Sequence, residues 1–497
     1  MRASGILMPI FSLESDYGIG TLGRASYEFV DFLDKAGQTY WQVLPINPIS
    51  IGNSPYLTVS SSSGNPLFID LDILCDEGLL KKEDYSYIDF GTNPERVDYE
   101  KLLSKREKVL RIAFENFDIN DKDFLAFSKA EKVWLEDYSL FMALKKAHSG
   151  LRWSEWENEL KTRKKEALIE AKSVYQNEMN FYKFVQFEFY KQWHALKDYA
   201  NKKGIKIIGD IPIYVDYDSQ DVWCNTSAFD LDKNYKPRTL AGCPPDAFSE
   251  DGQLWGTPVY NWERMKKGKT PYKWWRQRIS HALKIFDVVR LDHFRGFEAY
   301  YCIENGAENA KNGVWKKGPE MDLFNLLRED YGKDLPIIAE DLGFLTPEVK
   351  KLLDDSGFPG MKVLQFAFDS REESDYLPHN YQKNSVVYLG THDNDTVIGW
   401  THTAPSSDVE FAKKYINFKE GDYFNWAMIK TALMSVSDTA IITMQDLIGL
   451  GSEGRINTPS TVKNNWEWRI KKGCINDWLA GIVYENTATY SRLKKNK

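Results

Sequence analysis

Val288-Val-Arg-Leu-Asp-His-Phe-Arg-Gly296 opens on two β-branched residues, turns polar and stops on a glycine. That pattern reads as a buried strand whose C-terminal tip opens into a site. Side chains alternate along a strand, so Arg290 and Asp292 project to the same side. A guanidinium beside a carboxylate favours its ionised form and lowers its pKa by roughly 1–3. An ionised Asp292 with His293 and Arg295 beside it suits attack on an electron-poor carbon. A structural ion pair under a loop would leave the same local pattern.

Two further runs end in the same way and favour function. Pro336-Ile-Ile-Ala-Glu-Asp-Leu-Gly343 stops on Glu340 and Asp341, and Ser385-Val-Val-Tyr-Leu-Gly-Thr-His-Asp393 stops on His392 and Asp393. Asp292, Glu340 and Asp393 lie 48 and 53 positions apart, the spacing of repeated strand–helix units. In a parallel barrel such strand ends converge at one face. Crowding three carboxylates there is too unfavourable to serve packing alone.

Working outward, further strands are expected at 5–10, 40–46, 205–213, 360–368 and 440–446, separated by helical patterns. With the three acid-ended runs they make eight, and the fold expected is α/β, a (β/α)8 TIM barrel. Residues 1–497 form one catalytic unit with large insertions after strands 2 and 3 and no C-terminal β-sandwich. The stretch 69–180 is dense in Lys and Glu with helical periodicity and reads as an inserted helical subdomain. Residues 214–270, with the stiff Pro244-Pro245 pair, read as an inserted substrate-covering loop. The polar run around Ser54 and Tyr56 is long for a packing loop, and such loops carry function.

Composition narrows the partners. The chain has 497 residues, 42% hydrophobic, with a net charge of −8 and no long basic block, so a neutral ligand fits better than nucleic acid. No apolar run approaches the ~20 residues of a membrane helix. Five scattered cysteines without a C-x-x-C pair suggest reduced thiols in a cytoplasm. Aromatics reach 14%, a surplus that suits stacking on flat faces such as sugar rings.

Retaining glycoside chemistry needs this set of groups. One carboxylate attacks the anomeric carbon, and another, held where its pKa is raised, protonates the leaving oxygen. Arg290 marks Asp292 as nucleophile, and Glu340, emerging from Ile337-Ile-Ala339, is placed to keep its proton. Asp393 and His392 are placed to bind ring hydroxyls. A metal-dependent barrel enzyme is the competing reading, with Asp210, Asp292, His293, Glu340, His392 and Asp393 as ligands. Arg290 would repel a cation there, and no His pair has the H-x-x-x-H spacing of a metal site.

The chain also resembles a known family almost end to end. Trp41-Gln-Val-Leu-Pro45, Ser54-Pro-Tyr56, Gly209-Asp-Ile-Pro-Ile213, Pro244-Pro-Asp246, Arg290-Leu-Asp-His-Phe-Arg-Gly296, Ala339-Glu-Asp-Leu-Gly343, Gly390-Thr-His-Asp-Asn-Asp-Thr396 and Asn465-Trp466 are motifs of the amylomaltases. These are 4-α-glucanotransferases of glycoside hydrolase family 77, within the α-amylase superfamily. The resemblance implies Asp292 as nucleophile, Glu340 as acid/base and Asp393 as transition-state stabiliser. It puts Tyr56, Asp210, Arg290, His293, Asp369 and His392 around a bound glucan. Ser54 lies on one expected acceptor wall, Asp246, Phe248, Gln253 and Trp255 on the covering loop, and Asn465 in a further substrate-binding motif. Ala247, Thr257 and Leu57-Thr-Val59 depart from the family pattern. The partners implied are a maltooligosaccharide or starch-type donor and a sugar acceptor, with no cofactor. An α-1,4-glucan hydrolase of the same fold is the alternative.

Overall fold

The structure, a computed structural model, describes residues 2–245, 249–343 and 345–495. Twelve strands follow one another among them: β1 (Ala3–Leu7), β2 (Tyr40–Gln42), β3 (Lys206–Ile211), β4 (Thr239–Cys243), β5 (Gln253–Pro258), β6 (Val288–Leu291), β7 (Ala299–Glu304), β8 (Val314–Lys317), β9 (Ile337–Ala339), β10 (Gly360–Val363), β11 (Ser385–Tyr388) and β12 (Thr439–Thr443). Eight of these close into a parallel barrel in the order β1-β12-β11-β10-β9-β6-β3-β2. The (β/α)8 expectation is met, and each barrel strand overlaps its expected run: β1 and β12 start two and one residues before it, and every strand ends sooner. β10, for example, gives way at Leu364–Phe366 to a tight turn, where the chain begins building loops at the mouth.

Alternation divides the strand side chains between two cores. Leu7, Ile208, Ile338, Met361, Val363, Val386, Tyr388 and Ile441 point inward and fill the barrel with a packed cluster. Outward residues such as Ile6, Ile207, Val289, Val387 and Ile442 join the larger core beneath the helices. Gly209 sits where the outer packing leaves no room for a side chain: a Cβ there would fall 2.2 Å from the Phe286 ring. The strand that carries Asp210 therefore needs glycine beside it.

Between β2 and β3 the chain is built of helices. Its helices include Tyr99–Glu115, Lys122–Ala130, Lys132–Ala147 and Lys165–Val174, and the long helix Gln176–Lys202 returns the chain to the barrel. Phe117, Phe124 and Phe127 pack their rings against Phe184, Phe187 and Tyr190 of that long helix. The helix begins at Gln176, inside the expected 69–180 stretch, so insertion and barrel share one element.

The excursion after β3 holds more than a loop. β5 pairs antiparallel with β4, β4 with β7 and β7 with β8, in the order β5-β4-β7-β8. Sequence periodicity missed this sheet for physical reasons. β8 is exposed along its whole length and shows no alternation, and β4 finds its partner β7 only across the intervening β6. At the other end of the chain, Asp477–Thr489 is a helix and not a sandwich strand. Arg492 follows it, fully buried, and donates to the carbonyls of Leu433, Ala3, Ser435 and Ser437, which locks the β1–β12 seam. Among the described residues, no helix is long and apolar enough to cross a membrane.

Candidate active site

β3 and β6 run in register with Asp210 opposite Arg290. The Arg290 Nη1 donates to Asp210 Oδ1 at 2.9 Å and Oδ2 at 2.7 Å, and to Asp292 Oδ1 at 3.1 Å. Its Nε reaches Met361 Sδ at 3.4 Å. Burial works against the guanidinium charge, but Asp210 and Asp292 outweigh it and hold its pKa well above the ordinary range. The sequence pointed to Arg290 as the partner of Asp292. In the structure Asp210 is the closer partner, so Arg290 is clamped from one side and presents its remaining charge to Asp292.

Asp210 passes the order onward. The Tyr56 hydroxyl donates to Asp210 Oδ2 at 2.8 Å, and its ring stacks on His392 at 4.8 Å and 19°. His392 Nδ1 lies 3.3 Å from the same hydroxyl, and its Nε2 lies 3.3 Å from Asp393 Oδ2. Burial pushes Asp393 up, yet His392, the Asn457 amide at 2.6 Å and Arg290 together pull it down to about 2. A carboxylate held that low stays charged at any working pH.

Glu340 has the opposite environment. It follows β9 directly and is 9% exposed. The His293 N–H donates to its Oε2 at 2.6 Å and the Leu342 N–H to its Oε1 at 2.9 Å. The first of these bonds needs an unusual backbone: His293 takes a left-handed conformation at φ 51°. Burial raises the Glu340 pKa, and the Asp292 charge adds to that; Arg290 and the two backbone donors oppose them, and the result is about 8. The N–H bonds fix the carboxyl's orientation while leaving lone pairs for a proton. Its neighbour Asp341 is used differently, accepting the Met361 N–H at 2.6 Å within the barrel wall.

The His293 ring packs edge-on against Trp255, centroids 4.9 Å apart at 87°. Burial lowers the His293 pKa to about 4, which keeps the ring neutral. Trp255 is itself held by Gln253, whose Oε1 accepts its indole N–H at 3.0 Å. β5 therefore carries two of the expected covering-loop residues to the mouth. The other two, Asp246 and Phe248, lie outside the described residues. Among the described residues, no three His, Cys, Asp or Glu side chains are grouped to hold a metal ion.

A mouth with one carboxyl holding its proton to about pH 8 and another charged down to about pH 2 is equipped for acid-assisted displacement at a carbon centre. A family model described as 4-alpha-glucanotransferase matches residues 8–475. The chain belongs to that family. It is 50% identical to the 4-alpha-glucanotransferase of Clostridium butyricum, over 98% of this chain and all of the relative. The enzyme of the same description from Streptococcus pneumoniae is 44% identical, over all of this chain and 98% of the relative. A solved amylomaltase from Streptococcus agalactiae, in complex with acarbose, superposes with a TM-score of 0.95 at 41% identity, covering 99% of this chain and all of that one. The protein is thus an enzyme that transfers α-1,4-glucan segments from one glucan to another.

Of the family positions read from the sequence, Tyr56, Asp210, Arg290, Asp292, His392 and Asp393 form one hydrogen-bonded chain, with Glu340 held by His293 beside it. Ser54 acts locally, its Oγ accepting the Tyr56 N–H at 3.2 Å. Asp369 is gripped by Arg371 through two bonds of 2.8 and 2.6 Å. Asn465 is buried and bonds within its own loop, to Thr458 and Thr461. That loop presents Trp466, whose ring lies 5.6 Å from Tyr56 and 5.8 Å from His392. Trp466 was visible only as the partner of Asn465 in a motif. Asn457 and Arg455, which hold the Asp393 side chain and carbonyl, carry no sequence signal at all.

The Glu340 proton has a thermodynamic consequence. Its pKa rises from an ordinary 4.5 to about 8, so the folded protein keeps a proton that the unfolded chain releases between those values. The stability this contributes is complete below about 4.5 and is lost as pH rises through 8. Glu340→Gln cannot ionise, so its stability relative to the parent should grow between pH 5 and pH 9. Urea unfolding at both values tests this, and a difference that stays constant would contradict the raised pKa.

Proposed function

We propose that Asp292 is the nucleophile, Glu340 the acid/base and Asp393 the transition-state stabiliser of a retaining double displacement on α-1,4-glucans. The observation that carries this reading is the split between neighbouring carboxyls: Glu340 is pushed to about 8, while Asp292 lies 3.1 Å from a buried guanidinium. An Asp292 oxygen attacks the anomeric carbon as the glycosidic C–O bond breaks, and the Glu340 proton passes to the leaving oxygen. The 4-hydroxyl of an acceptor then attacks the same carbon, returns its proton to Glu340 and releases Asp292. Asp393, fixed by Asn457 and backed by His392, strengthens its bonds to ring hydroxyls as positive charge develops. Tyr56, Trp255 and the neutral His293 are half-buried rings beside these acids, with apolar faces suited to sugar rings.

A similar amylomaltase was solved in complex with acarbose, which supports a saccharide-type ligand for this chain. We assign a maltooligosaccharide or starch-type glucan as donor, a sugar as acceptor, and residues 1–497 as one catalytic unit with insertions at 69–180 and 214–270. The five cysteine thiols fit a cytoplasmic setting.

Asp292→Asn and Glu340→Gln should each lower turnover by several orders of magnitude while the fold survives, because the two groups act as a unit. In the parent, kcat/KM should fall on the alkaline side with an apparent pKa near 8, since the acid must be protonated to act. That limb should vanish from the residual activity of Glu340→Gln. Near-normal turnover in either folded variant would overturn the assignment.

Acceptor choice is tested separately. Bulk water is at about 55 M, so sugar wins only if it is bound and oriented, and effective molarities of roughly 10⁵ M or more allow that. Pure maltotriose should give glucose together with a ladder of longer maltooligosaccharides, and total reducing ends should hold nearly constant. Steadily rising reducing ends with no product above maltotriose would identify water as the acceptor.

A further inference from the structure

The antiparallel sheet β5-β4-β7-β8 is separate from the barrel, and its two edge strands converge on one turn. From β5, the Trp255 ring packs edge-on against His293. From β8, the Trp315 ring receives the Arg295 guanidinium, 3.9 Å from the ring centroid. Tyr301, the register partner of Trp315 on β7, packs against the same ring at 5.1 Å. His293 and Arg295 both belong to the turn that leaves β6, so the sheet grips that turn from both of its edges.

The turn is stitched at both ends. Where it starts, the His293 N–H donates to Glu340 Oε2 at 2.6 Å and the Phe294 N–H to the Glu340 carbonyl at 3.0 Å. Where it ends, the residues after β8 take hold. The Gly318 N–H donates to Glu298 O at 2.7 Å, the Glu320 N–H to Phe297 O at 2.8 Å, and Lys317 pairs with the buried Glu298 carboxylate. Phe294 and Phe297 turn into the core against Phe324, at 5.6 and 5.3 Å, whereas Arg295 faces the sheet. Burial disfavours the Arg295 charge, and an aromatic face offsets part of that cost. The left-handed φ of His293 is unfavourable for a residue with a Cβ and persists only where the surroundings hold it. Anchors on both sides of His293 supply that hold.

We propose that Arg295 and Trp315 are positioning residues for the acid/base: their stack fixes the turn that aims the His293 N–H at Glu340. The sheet thereby has a part in the reaction beyond carrying Trp255. The proposal rests on the reading of Glu340 as acid/base and deepens it. Other ionisable groups reach Glu340 from elsewhere: Arg290 and Asp292 from β6, Asp341 next in the chain, and Tyr376 from the loop after β10. Trp315 carries no charge, so its replacement reaches Glu340 through the turn. Replacing Arg295 also removes a cation, which makes Trp315 the decisive position.

The test records kcat and kcat/KM for maltotriose between pH 5 and pH 10 in the full-length enzyme. Trp315→Leu removes the aromatic face and keeps the Arg295 charge; Arg295→Met removes both charge and stack. Trp315 lies on an exposed edge strand, so its variant should fold even if Arg295→Met does not. The His293 N–H favours the ionised carboxyl, so loosening it should move the alkaline limb up by about 0.5–1 pH unit. At pH 7, kcat should fall roughly three- to tenfold with KM within about twofold of the parent. Trp315→Phe, which restores a ring, should bring limb and kcat back towards the parent, and Val314→Ala, at an exposed neighbour, should leave them unchanged. An alkaline limb that stays put or moves down in folded Trp315→Leu overturns the proposal, even where Tm falls. Urea unfolding with and without Glu340→Gln reads the same proton without turnover. The stability gap should go on widening to a higher pH when Trp315→Leu is present, and a gap that levels off where the parent's does also overturns the proposal. A parent with no Glu340-dependent limb counts instead against the catalytic reading, and the unfolding result then still decides the role of the stack.

Discussion

Arg290 is buried between Asp210 and Asp292, and what that guanidinium requires shapes the mouth around it. A charge taken out of water is tolerated only with close partners, and removing one partner of such a pair costs on the order of 3–5 kcal/mol. Asp210 supplies two of the bonds, so Arg290 is held from the β3 side and aimed at Asp292. Asp210 in turn needs a further donor, which Tyr56 provides, and Tyr56 brings His392 into stacking contact. One buried cation thereby ties the ends of β3, β6 and β11 to the loop after β2. Well-packed apolar residues would stabilise this place as well; a polar network here makes sense as positioning.

The same network separates the acids. Glu340 and Asp393 are both drawn in at the mouth, yet one is pushed to about 8 and the other pulled to about 2. Desolvation acts on both in the same direction. The difference lies in partners: Asp393 has an imidazole and an amide directed at its oxygens, whereas Glu340 has two backbone N–H groups and a neighbouring carboxylate. His293 contributes through its backbone as much as its ring, because its left-handed φ is what turns the N–H toward Glu340.

Much of this was legible in the sequence because strands report themselves. Runs such as Val288-Val289 and Ile337-Ile-Ala339 announce buried strands, and the acids that close them sit at the barrel mouth by topology. The antiparallel sheet was not legible, since β8 lacks alternation and β4 pairs with β7 only across β6. The site followed the same division. Residues at strand ends were found from pattern, while Asn457, Arg455 and Trp466 come from an irregular segment whose proximity to Asp393 depends on the closed tertiary structure. Asp210 was read as a ligand-facing residue; its grip on Arg290 depends on β3–β6 register, which periodicity does not encode.

The most direct test of this account is to catch the covalent intermediate. In Glu340→Gln, Asp292 should still attack the anomeric carbon of a donor that carries its own good leaving group, as α-maltosyl fluoride does, with fluoride departing as the C–F bond breaks, while the lack of a base slows release to an acceptor. Mass spectrometry of the quenched, digested protein should then find a maltosyl adduct on the peptide containing Asp292, absent when Asp292→Asn is added. An adduct on another carboxylate, or product formation with inverted anomeric configuration and no adduct, would contradict the central claim.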